Sequence, residues 1–136
     1  MSTEQAVIRY LNTDLDLRSA EDLTPLAEAL GRAGVRSMDV NCSDRTWWAM
    51  LETTECRENP DATISYMLDA IENMPPDATS IWQNCSSREF NIGYDCGDTP
   101  WGFTNAISNH TLMRIANAGA SLGITIYPAT REESAT

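Results

Sequence analysis

The chain has no lysine. All nine basic residues are arginines, set against twenty acidic residues for a net charge of −11. So acidic a surface repels phosphate backbones and anionic membrane surfaces, and the arginines are scattered. Direct nucleic-acid binding is therefore not expected, and a basic protein partner is favoured. Histidine is nearly missing, with His110 alone, and the four cysteines, Cys42, Cys56, Cys85 and Cys96, form no CxxC pair. Zinc sites are built from tight ligand pairs, so neither a metal nor a cofactor is expected. No glycine-rich phosphate loop occurs: GYDCG and GASLG lack both the strand-to-helix setting and the lysine that such loops use. No apolar run is long enough to span a membrane, and MSTEQAVIRYLNTD carries no secretion signal. A cytoplasmic protein with reduced thiols is the expectation, in which the sequons at Asn41, Asn84 and Asn109 carry no glycan.

What is present describes an ordinary core. A hydrophobic share of 42% in 136 residues suits one domain, placed at 1–129 with a frayed polar tail at 130–136. AVIRYL at 6–11 reads as a strand. Ser19 stands as the cap of a helix carrying Leu23, Leu26, Ala27 and Leu30 and stopped by Gly31 and Gly34. Val35 to Cys42 alternates and turns through CSDRT into WWAMLETT, a hairpin. Pro60 opens a second helix with the stripe Ile64, Met67, Leu68 and Ile71, ended at Pro75-Pro76. The stretch 77–85 reads as a short helix or an edge strand, helix being favoured, 89–96 as a strand with Phe90, Ile92, Tyr94 and Cys96 on one face, and GDTPWG as a turn. Ser108 caps a last helix through Leu112, Ile115 and Ala116, and LGITIYP closes the order as a strand. The pattern predicts an α+β fold: a single-domain mixed sheet with helices on one face, a ferredoxin-like sandwich with an extra αβ unit.

Several residues could carry chemistry. Asp14 and Asp16 follow the first expected strand, and Asp95 and Asp98 follow a later one, so strand ends could bring carboxylates together. The turn reading of TDLD and DCGDT is favoured, because Asp bonds its own backbone in turns. Cys96, His110 and Asp95 or Asp98 could form a nucleophile, base and orienter, but only geometry defines such a set. Cys42 and Cys96, in phase with apolar strand residues, are expected in the core. Trp47 and Trp48 are adjacent on a strand and face opposite sides. Trp48 and Trp101 are candidates for an interface, where Trp is enriched.

YLNTDLDLRS at 10–19, REFNIGYDCG at 88–97 and GASLGITIYP at 119–128, with MLDAIENMPP between them, resemble a family of small bacterial proteins classed as a domain of unknown function. That resemblance implies no catalytic residue. More loosely the chain resembles bacterial immunity proteins, small acidic α+β domains that neutralise a toxin by binding it. The leading expectation is a non-enzymatic, cytosolic protein-binding domain, of immunity or inhibitor type, anchored by Asp and Trp side chains on a basic partner. The rival expectation is a small-ligand domain or enzyme with a site at the strand end, built from Asp95, Cys96, Asp98 and His110.

Overall fold

The computed structural model describes residues 6–55 and 58–128, so Cys56 and the tail at 130–136 lie outside the described residues. The elements run β1 (Arg9–Ser19), α1 (Thr24–Arg32), β2 (Val35–Ser43), β3 (Thr46–Thr53), α2 (Pro60–Glu72), α3 (Pro76–Asn84), β4 (Ser87–Asp95), α4 (Asn109–Asn117) and β5 (Ser121–Tyr127). The strands form one mixed sheet in the order β2-β3-β1-β4-β5. The first four pair antiparallel, which is the ferredoxin-like βαββαβ arrangement. The α4–β5 unit is the addition: β5 lies parallel to β4, and a parallel neighbour needs a crossover helix. The helices lie against one face, where Leu15, Leu17, Leu51, Phe90 and Ile92 meet Leu26, Leu30, Ile64, Met67 and Leu68 in a buried core.

Local chemistry explains most boundaries. Asp44 and Arg45 take positive φ of 51° and 65°, the conformation that a two-residue hairpin loop requires. Asn59 caps α2, its Oδ1 accepting the Ala62 N–H at 2.8 Å, with Pro60 at the first helical position. The stretch from 77 is a helix and not an edge strand, ending at Asn84 with Cys85 extended beyond it, and the Pro75-Pro76 pair both follows α2 and opens α3, with Pro75 at its cap and Pro76 at its first position. Ser108 caps α4 by accepting the Thr111 N–H.

The first strand departs from expectation. Rather than ending at Leu11, β1 runs to Ser19 through the middle of the sheet, with Asp14 and Asp16 in its centre and not in a turn. A register shift between Tyr10 and Asn12 resets its phase, as bulges do. Tyr10 and Thr13 therefore both face the helices, and Tyr10 Oη sits 2.9 Å from Thr63 Oγ1 of α2. Ser19 ends the strand instead of capping α1; its Oγ accepts the Glu21 N–H, while Asp22 accepts the Thr24 N–H at the helix start.

The cysteines are also redistributed. Cys42 and Cys96, expected in the core, are exposed, and Cys85 is buried. Cys42 lies on the sheet-edge strand β2, whose phase is broken by a bulge between Ser37 and Asp39. Cys96 lies one residue past the end of β4. Leu112 on α4 is exposed as well, the inward positions of that helix being Thr111 and Ile115. Gly97 owes its place to a close approach: a Cβ there would stand 2.6 Å from the Ala6 carbonyl. Its neighbourhood is main chain locked to main chain, with the Ile8 N–H donating to the Thr99 carbonyl and the Asp98 N–H to that of Ala6.

Candidate functional site

Because β1 is central and its side chains alternate, every second residue points away from the helices onto the open face of the sheet. Asp16 stands opposite Met50 of β3 on one side and Glu89 of β4 on the other. Asp14 stands opposite Asn91, and Arg18 opposite Trp48. One amide serves two carboxylates: Asn12 Nδ2 donates to Glu52 Oε2 at 2.9 Å and to Asp14 Oδ1 at 3.3 Å. Four carboxyl groups, Asp14, Asp16, Glu52 and Glu89, thus lie across three adjacent strands. Beside them Trp48, Met50, Arg18 and Ser87 line, with Asp16 and Glu89, a concavity of about 560 Å³.

The electrostatics of this row are unfavourable. Asp14 is pushed up to about 6, first by burial and then by the charges of Asp16 and Glu52. Asp16 is also raised, by burial and then by Glu89, with Arg18 opposing. Its Oδ1 is shielded from solvent and has no hydrogen-bond partner among the described residues. Aspartate is depleted in strands, and two half-buried ones in a central strand, facing further carboxylates, are held there at a cost in desolvation and like-charge repulsion.

The residues proposed at the strand end do not converge. Asp95 and Cys96 line a cleft of about 410 Å³ whose apolar walls include Tyr94, Phe103, Ile124 and Ile126. Asp98 and His110 are not among its lining residues. His110 is exposed in the first turn of α4, on the side of Asp61. That carboxyl is held below the ordinary range: partial burial pushes it up, but hydrogen bonds from Ser108 and Thr111 outweigh this, and His110 adds attraction. Asp95 pairs loosely with Arg9 at 3.7 Å. A Cys–His–Asp relay is therefore not assembled here. Among the described residues no group of three His, Cys, Asp or Glu could hold a metal ion.

Of the candidates read from sequence, Asp14, Asp16 and Trp48 share the open face, Asp95 and Cys96 share the cleft, and Asp98, His110 and the fully exposed Trp101 stand apart from both. Trp47 faces the core and Trp48 the open side, as their adjacency implied. Sequence reading missed Asn12, Met50, Glu52 and Glu89. Their signal was the two-residue period of TWWAMLET and SREFNIGYD, which places Trp48, Met50 and Glu52 on one face and Glu89 and Asn91 on another, but only pairing with β1 shows that these faces are shared.

No protein-family model, curated protein or solved structure matches the chain. No helix among the described residues is long and apolar enough to cross a membrane.

The thiols provide a direct check of this geometry. Cys85 is pushed up to about 11, burial outweighing the pull of Arg88, with Glu21 adding to the rise, and its S–H donates to the Ile81 carbonyl. In the folded protein, Cys42 and Cys96 are expected to react with a maleimide at least about a hundredfold faster than Cys85, since the reactive form is an accessible thiolate. Peptide-resolved mass spectrometry distinguishes the sites; comparable labelling of Cys85 would contradict its burial.

Proposed function

We propose that this protein is a non-enzymatic, cytosolic binding domain whose open sheet face takes a basic protein partner. Its most concrete form is an immunity or inhibitor protein against a basic toxin, like the small bacterial proteins that the chain resembles. The observation that carries this reading is the carboxylate row of Asp14, Asp16, Glu52 and Glu89 on the face the helices leave open. A guanidinium or ammonium group arriving there satisfies acceptors that the fold leaves crowded, and removes the like-charge repulsion that raises Asp14. Trp48 and Met50, beside the row, offer an adaptable apolar anchor of the kind that dominates interface energetics. The net charge of −11 steers a basic partner toward the domain, and the row sets where it stops.

The test separates a site from bulk charge. An oligo-arginine peptide is titrated against wild type, the Asp14→Asn/Asp16→Asn variant and the Glu28→Gln/Asp77→Asn variant, which has the same net charge but is altered on exposed helix positions. The face variant is expected to bind about tenfold more weakly, equivalent to 1.4 kcal/mol, and the helix variant within about twofold of wild type. Equal weakening of both would sink the reading. The biological arm is co-expression with the product of the adjacent gene: rescue by wild type and not by the face variant identifies the partner.

A further inference from the structure

The two edges of the sheet are built differently. On β2, Arg36 and Asp39 bring charge to the strand, and a bulge lies between Ser37 and Asp39; charge and a bulge are what prevent another strand from adding to an edge. At the opposite edge, β5 has neither. It pairs with β4 over seven residues without a register break, and from Ile115 to Thr130 the sequence has no Asp, Glu or Arg. Its helix-side residues are left exposed, Ile124 at 63% and Ile126 at 64%, with Leu122 at 37%.

The backbone of β5 is oriented to accept a neighbour. The Cys96 N–H donates to the Tyr127 carbonyl at 3.0 Å, so Tyr127 turns its main-chain groups toward β4. With the two-residue period, Thr125, Gly123 and Ser121 do the same, and Leu122, Ile124 and Ile126 turn theirs outward. The three residues with outward main-chain groups, Leu122, Ile124 and Ile126, thus also carry exposed aliphatic side chains.

We propose that a second copy of this chain pairs antiparallel along the β5 edge, about a twofold axis at Ile124. In that register Leu122 lies opposite the partner's Ile126 and Ile124 opposite the partner's Ile124, extending both the hydrogen-bond ladder and the apolar face. In that register the strip is complementary to itself, apolar against apolar, and two molecules of −11 repel least where an uncharged strand such as β5 meets its own copy. A basic partner is drawn instead to the acidic open face.

Sedimentation of the full chain over a range of concentrations tests this. The expected result is a dimer that tightens as salt rises, because screening removes the repulsion between like-charged copies. Ile124→Lys sets a like-charge pair at the axis, and Ile124→Pro removes an outward N–H that the β4 ladder does not use. Each variant, once shown folded by circular dichroism, is expected to weaken dimerisation at least about a hundredfold, given the charge and hydrogen-bond losses at the axis. Hydrogen exchange needs no variant: concentrating the wild type is expected to slow the Leu122, Ile124 and Ile126 amides selectively. A wild type that stays monomeric at high concentration and high salt, folded variants that keep the wild-type dimer, or slowed exchange confined to another surface would each overturn the proposal.

Discussion

Asparagine in place of Asp14 is expected to make the protein more stable at pH 7 by about 1 kcal/mol, the value left once solvent screening of a half-exposed carboxyl is allowed for. At about pH 2.5 the same substitution is expected to change little, because the aspartic acid is then protonated in both the folded and the unfolded chain. The sign follows from the raised pKa. As pH climbs from the ordinary 3.8, the unfolded chain releases the proton first, while the folded chain holds it until about 6. Stability therefore falls through that window and levels off above it. The Asn variant lacks this slope and still offers an oxygen to Asn12. Urea unfolding at both ends of the window measures the difference; equal stabilities of wild type and variant at pH 7 would show that Asp14 is not strained. The same residue couples to binding. A cation on the open face pulls the Asp14 pKa down, so association near pH 6 releases a proton, and affinity rises between about pH 5 and 7 as deprotonation becomes less costly. A more stable variant that binds less well is the signature of a site maintained against the fold's own preference.

Truncating Phe90 to alanine is expected to destabilise the protein by about 4 kcal/mol, within the usual range for a buried phenylalanine. Phe90 is fully buried and lies at the middle of the sheet, opposite Leu15 on β1 and Leu122 on β5. Its removal leaves a cavity bounded by strands already fixed by their ladders, with little freedom to collapse. Ile126→Ala, at a position 64% exposed, is expected to change the stability of the monomer by less than about 0.5 kcal/mol, as most surface substitutions do. The two residues look alike in sequence, each an apolar member of an alternating strand. Denaturant midpoints of the two variants compare them directly, and a loss below about 2 kcal/mol for Phe90→Ala would contradict a core built on that strand.

Much of the architecture was legible. The hairpin, the proline-opened helix at 60–72, the helix at 76–84 and the Ser108 cap each depend on a few neighbouring residues whose chemistry acts locally. The interleaving of those elements predicted a one-sided α+β sandwich with an extra unit. The length of β1 was not legible. Asp14 and Asp16 read as turn residues because Asp prefers turns, and their propensity is overridden by the pairing of Leu15 and Leu17 with β3 and β4. Cys42 and Cys96 were placed in the core by extending an alternation that a bulge breaks in one case and the strand end terminates in the other.

By itself the sequence determined the fold class, the order of elements, the neutral character of 115–130 and the acidity of the chain, since composition, caps and periodicity act over short distances. Tertiary structure alone decided which faces are covered and which residues share them. Strand order brings Glu52, Asp14, Asp16 and Glu89 from three separate segments onto one surface and leaves Asp98 and His110 outside the cleft that Asp95 and Cys96 line. It also sets β5 at an edge, where an apolar strand stays exposed. Neighbours across a sheet are fixed by hydrogen-bond register between segments distant in the chain, and no local pattern specifies that register.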